Sequence, residues 1–156
     1  ELAAVADTVS VSMSKGLGAP AGSLLAGRRD LIDRARALRH GMGGSMRQSG
    51  ILAAAGLHAL AHHVDRLADD HRRAQTLAAA LSDLPGIRVH PPATNMVLAT
   101  VEGAPAESLC APLREAGVLC HPNRYREVRW VLHLGIDDAA VARVGEIICD
   151  VVRARA

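Results

Sequence analysis

A long run of helical spacing in the middle of the chain constrains the fold most. From Gln48 to about Leu84 the sequence is rich in Ala and Leu, with apolar side chains three and four positions apart. That spacing predicts one long helix, or two joined end to end, and Pro85-Gly86 stops it. The residues before and after it must therefore fold as separate regions. Before it, TVSVSM at 8–13 alternates apolar and polar side chains as a strand does, SKGLGAPAG makes a glycine-rich turn, and GSLLAG at 22–27 reads as a second short strand. Helical spacing returns over 28–40 through Leu31, Ile32, Ala35 and Leu38, until the glycine cluster GMGGS at 41–45 interrupts it. After Gly86, IRVH (87–90), NMVLATV (95–101), a helix over about 105–116, GVLCH (117–121), VRWVLHL (128–134) and a last helix from about Asp137 to Arg153 alternate strand and helix. Such a run predicts an α/β or α+β layer with helices on a small sheet. Three segments are expected: 1–47 as the end of a larger sheet domain, 48–84 as a connecting helix, and 85–156 as a compact small domain.

At 156 residues, 49% hydrophobic and 22% charged, the chain can bury a core. It begins at Glu1, and ELAAVADTVSVSM reads as the tail of a helix running straight into a strand, so we expect a chain cut inside a longer fold. A formal charge of +2, with arginines set singly among Asp and Glu, argues against a nucleic-acid face. No apolar run reaches the roughly 18 residues of a membrane span, and no signal peptide is visible. Cys110, Cys120 and Cys149 are odd in number and lack metal-ligand spacing. We expect them to be reduced, mostly buried thiols of a cytoplasmic protein, with no metal site.

Lys15 belongs to a chain that otherwise uses Arg, and it sits where a strand runs into glycines. Ligands of α/β sheets bind at strand ends, and Gly16, Gly18 and Gly22 allow close backbone approach. A lysine there can act as a nucleophile toward aldehydes, or it can be a plain surface lysine beside a tight turn. Ser14 can bind phosphate or cap the turn. Arg47 can bind an anion or cap the preceding helix, and Arg129 can bind a carboxylate or join a surface ion pair. His58, His62, His63, His71 and His133 lack a partner set for a metal and read as solvated or core histidines.

DTVSVSMSKGLGAPAGSLLAG at 7–27 followed by GMGGSMRQSGILAAAGLHAL at 41–60 resembles two signature stretches of the low-specificity L-threonine aldolases, a family of fold-type I pyridoxal-phosphate (PLP) enzymes. TNMV at 94–97 and RWVLHL at 129–134 resemble strands of that family's small domain. The resemblance covers nearly the whole chain and implies an α/β, fold-type I architecture. It consists of the end of the large sheet domain and the α+β C-terminal small domain. It also implies that Lys15 is the Schiff-base lysine, that Arg47 meets the cofactor phosphate, and that Arg129 grips the substrate carboxylate, with Ser14 beside Lys15 as a further cofactor-binding candidate. The activity implied is cleavage of L-threonine, L-allo-threonine or another β-hydroxy-α-amino acid to glycine and an aldehyde, within threonine catabolism and glycine biosynthesis. Other fold-type I chemistry, such as β-elimination or transamination, is the alternative within that fold. A non-catalytic piece, or a subunit of a split enzyme, is the alternative outside it.

The family's site also uses a phosphate loop, a histidine that stacks on the pyridine ring and an aspartate that pairs with its nitrogen. None of these is recognisable here, and they are expected in an N-terminal half outside these residues, with a separately encoded half as one candidate source. His40 stands where many members have a lysine, with Arg39 as a substitute charge, and HPNRYREV at 121–128 departs from the family's short loop. The family forms homotetramers, so self-association is expected.

Overall fold

The computed structural model describes residues 2–155; Glu1 and Ala156, the outermost residues of the segments expected over 1–47 and 85–156, lie outside them. The chain forms two compact units, Glu1–Asp65 and Arg66–Ala156.

In the first unit a single 3-10 turn, Leu2–Val5, leads into an antiparallel hairpin of β1 (Thr8–Ser12) and β2 (Ser23–Gly27), with Val9 opposite Ala26. Its connection is ordered by two backbone bonds: Met13 N–H donates to Gly22 O at 3.0 Å, and Ala19 N–H donates to Met13 O at 2.9 Å. Helix α1 (Arg29–Gly41) follows and ends on the glycine cluster. Gly43, at φ +74, takes the left-handed position and donates to His40 O at 3.1 Å, while Gly44 donates to Arg39 O at 2.8 Å. This paired return of N–H groups closes the helix on backbone alone. Helix α2 (Gly50–His62) is apolar on nearly every side, yet Ala59 is its one buried residue.

Of the two readings of 48–84, one long helix or two in succession, the structure has two helices: α2 stops at His62, and α3 (Leu67–Leu81) belongs to the second unit. There, β3 (Ile87–His90), β4 (Met96–Val101), helix α4 (Glu107–Glu115), β5 (His121–Arg124), β6 (Glu127–Val131) and helix α5 (Asp138–Arg153) complete the fold. The sheet order is β3-β4-β6-β5, and every pairing is antiparallel. Val97, Ala99 and Val101 of β4 and Val128 and Trp130 of β6 are buried at alternate positions. They share one core with Leu77 and Leu81 of α3, Leu109 and Leu113 of α4, and Ile148 of α5. Each fully buried Leu or Ile contributes about 1.5–3 kcal/mol relative to exposure.

GVLCH at 117–121 is not a strand for most of its length. Gly117, at φ +83, and Val118 close α4 by donating to Arg114 O (3.0 Å) and Leu113 O (2.8 Å), so the Val118 amide is unavailable to a sheet. The unusual 121–128 stretch makes the β5–β6 hairpin, with an irregularity between Pro122 and Arg124. Asp137 caps α5 by accepting from Ala140 N–H at 2.7 Å. The start of α5 is tied to α3 where Asp138 accepts from Arg73 Nε (2.9 Å) and Arg72 Nη2 (3.1 Å). Asp70 of α3 is wholly buried and pairs with Arg66. Among the described residues no helix is long and apolar enough to cross a membrane.

Candidate functional site

Lys15 lies in the turn directly after β1, and its carbonyl accepts from Gly18 N–H at 2.8 Å. Met13 and Leu17 on either side are buried, whereas Ser14 and Lys15 are exposed. Anchoring the backbone at 13 and 17 thus leaves the two polar side chains between them free to meet a ligand. Among the described residues, the Lys15 ammonium and the Ser14 hydroxyl have no hydrogen-bond or ion-pair partner. Gly22, at φ +106, closes the turn in a backbone conformation that L side chains rarely adopt, and a Cβ there would meet nothing within 4 Å. Lys15 is also the only lysine in the chain. Hollows of about 280 and 400 Å³ border β2 and α1, and Lys15 lines neither.

Arg47 occupies the turn just before α2 and is exposed. The helix-capping alternative for it finds no support, since α1 is closed by Gly43 and Gly44. Gln48, next to it, is held at φ +53, a left-handed conformation uncommon outside glycine. His40, at the position where many family members have a lysine, has Nδ1 2.8 Å from Ser45 Oγ, while the Arg39 carbonyl is taken by Gly44.

Arg129 belongs to the second unit. It lies on the inner strand β6 between the buried Val128 and Trp130, so its side chain leaves the opposite face of the sheet, paired with Leu98 of β4 and His121 of β5. Its Nε is buried and has no hydrogen-bond partner, and among the described residues no carboxylate lies within 4 Å of it. The surface ion-pair alternative is therefore not what the fold builds. A buried guanidinium N–H without an acceptor is costly.

Sequence reasoning places His63 among the solvated or core histidines and misses its attachment. His63 follows the last residue of α2, and its Nδ1 lies 2.6 Å from the carbonyl of Leu17, inside the lysine turn. The rings of His58 and His62 are 4.5 Å apart, and those of His58 and His63 are 5.4 Å apart. No group of His, Cys, Asp and Glu able to hold a metal occurs among the described residues. Cys110 is buried and Cys120 half-buried, and burial pushes the pKa of both thiols up, that of Cys120 to about 12.

A model of the beta-eliminating lyase family matches residues 1–104. A probable low-specificity L-threonine aldolase of Arabidopsis thaliana is 42% identical over 144 residues, covering 89% of this chain and 41% of that protein. A low specificity L-threonine aldolase of Escherichia coli O157:H7 is also 42% identical over 144 residues, covering 92% of this chain and 42% of that protein. The chain thus spans about two fifths of the length of these curated relatives. Among solved structures, a Listeria monocytogenes protein assigned as an L-allo-threonine aldolase superposes with a TM-score of 0.77 at 18% identity, covering 98% of this chain and 45% of that one. An ornithine aminotransferase of Toxoplasma gondii superposes with a TM-score of 0.72 at 22% identity, covering 95% and 36%. These likenesses establish the expected fold class, that of the fold-type I PLP enzymes. With most of its length matched by the family's model, the chain belongs to the beta-eliminating lyase family.

Proposed function

We propose that this chain carries the cofactor lysine and the carboxylate-binding arginine of a PLP-dependent carbon–carbon lyase. The substrate would be threonine, allo-threonine or another β-hydroxy-α-amino acid, cleaved to glycine and an aldehyde. The observation that carries this proposal is Lys15, the chain's one lysine, presented without an internal partner in a glycine turn between paired strands. The family membership and the threonine aldolases among the relatives support the same choice of reaction.

The residues present suit the cofactor. A phosphorylated aldehyde calls for an amine, hydroxyl or amide donors, and a cation. Lys15 Nζ supplies the first, Ser14 Oγ and the turn's bare backbone the second, and Arg47 the third. When bound, PLP supplies an electron sink for the pair released as a bond at Cα breaks. Arg129 would grip the substrate carboxylate in its planar fork and so decide which Cα bond is aligned for cleavage. The phosphate loop, the ring-stacking histidine and the aspartate at the pyridine nitrogen would come from outside these residues. We place the working assembly in the cytoplasm as a homotetramer. The exposed Leu24, Leu25, Ile51 and Leu57 of the first unit offer apolar surface for such packing.

The test is acetaldehyde release from threonine by the full-length protein with PLP added. Turnover is expected, and Arg129→Ala should raise the KM for threonine by at least about tenfold through loss of a charge-assisted pair. No turnover, or an unchanged KM, contradicts the assignment.

A further inference from the structure

Resting on the assignment of Lys15 above, we propose that His63 is a positioning residue. From the end of α2, its ring holds the lysine turn in the one conformation that presents the amine. Nδ1 of His63 lies 2.6 Å from Leu17 O, a contact across 46 positions of sequence. A carbonyl can only accept, so Nδ1 carries the hydrogen and donates it, which fixes the tautomer of the neutral ring.

What does the holding is rigid. His63 is the C-terminal cap residue of α2, and its backbone N–H donates to Ala59 O at 2.8 Å. The ring therefore hangs from the last turn of a helix. What is held would otherwise be loose, because Leu17 stands between Gly16 and Gly18, and Gly18 is at φ +70. Glycines on both sides give the Leu17 peptide its greatest freedom to rotate. The turn's own bonds, Gly18 N–H to Lys15 O and Ala19 N–H to Met13 O, set its local shape but do not place it against α2. One apolar feature of the fold does: Met13 is buried, with its Cε 3.7 Å from where a side chain at Gly56 of α2 would begin. Such apolar contact is non-directional and tolerates sliding. The hydrogen bond from His63 supplies the missing direction, two positions from Lys15.

Three variants of the full-length protein test this. His63→Leu removes the donor and keeps bulk. His63→Asn keeps a donor, because its amide nitrogen can take the place of Nδ1. His63→Asp matches Asn in size without the donor, so the Asn and Asp pair decides the matter even if the Leu variant fails to fold. Amide hydrogen exchange at Gly18 and Ala19 is measured in the cofactor-free protein, and PLP affinity is measured from its visible band. Loss of one such bond corresponds to about five- to tenfold. Exchange at both amides should rise by that factor in the Leu and Asp variants, PLP affinity should fall by a similar factor, and Asn should restore both. Unchanged exchange in the Asp variant, or fast exchange in the Asn variant, overturns the proposal. Lys15→Ala separates the two assignments. If that variant keeps the visible band, Lys15 is not the cofactor lysine, and a proposal about presenting its amine falls with it while the exchange result stands. If the band is lost but His63→Asp exchanges normally, only the role of His63 is overturned.

Discussion

The strands β4 and β6 bury every second side chain, whereas β1 and β2 bury none, although both pairs are antiparallel with an unbroken register. Backbone pairing is equal in the two places, and packing is not. In Arg66–Ala156 the sheet shares a continuous core with three helices, and Leu81, Leu109, Leu113 and Ile148 are fully enclosed. In Glu1–Asp65 the buried set is Met13, Leu17, Ala19 and Ala59, and three of those four lie in the lysine turn or its edges. The first unit thus spends its limited burial on fixing a loop, and the second on holding a fold. A strand pattern shows that a segment pairs; it does not show what that segment packs against.

The largest effects that probe this contrast are cavities in the second unit. Leu81→Ala and Leu109→Ala should each lower the free energy of unfolding by about 2–5 kcal/mol, measured by denaturant titration of the 156-residue chain. Val11→Ala, on a strand that buries nothing, should cost less than about 1 kcal/mol. Equal costs in the two units would break the comparison.

A smaller effect sharpens it. The Asp138 carboxyl is held below its ordinary 3.8, chiefly by the hydrogen bond from Arg73 and then by that from Arg72. A depressed folded value means that its contribution is complete above that ordinary range and is lost as pH falls through the folded value. Asp138→Asn should therefore lower stability slightly at neutral pH, and the difference from the parent should vanish in strong acid. The pair is exposed, so solvent screening keeps the effect small. A difference that persisted in strong acid would show that the carboxylate charge is not its source.

Much of this was legible in sequence because it is local. The strands at 8–13 and 95–101, the helix from Arg28 and the last helix from Asp137 lie within a residue or two of β1, β4, α1 and α5. Their signals are alternation, apolar spacing, the capping Asp137 and the glycine stops. Two helices over 48–84 were one of two readings the spacing allowed, but the place of the break was not legible, because HHVDR holds neither Gly nor Pro and the apolar spacing runs through it. His63 turns its ring to a carbonyl 46 positions away, an attachment no local pattern records. GVLCH misled for a similar reason: its β-like composition was outweighed by the closing bonds of α4. At the candidate site, the residue types and the turn around Lys15 could be read directly. That Arg129 leaves its Nε buried without an acceptor required coordinates.

The central claim is that Lys15 holds the cofactor. Borohydride reduction of the full-length protein with PLP bound, followed by proteolysis and mass spectrometry, locates the attachment point. The account predicts a phosphopyridoxyl group on the peptide that contains Ser14, Lys15 and Gly16. A group found on any other lysine, or no attachment under conditions where the protein turns over threonine, would contradict it.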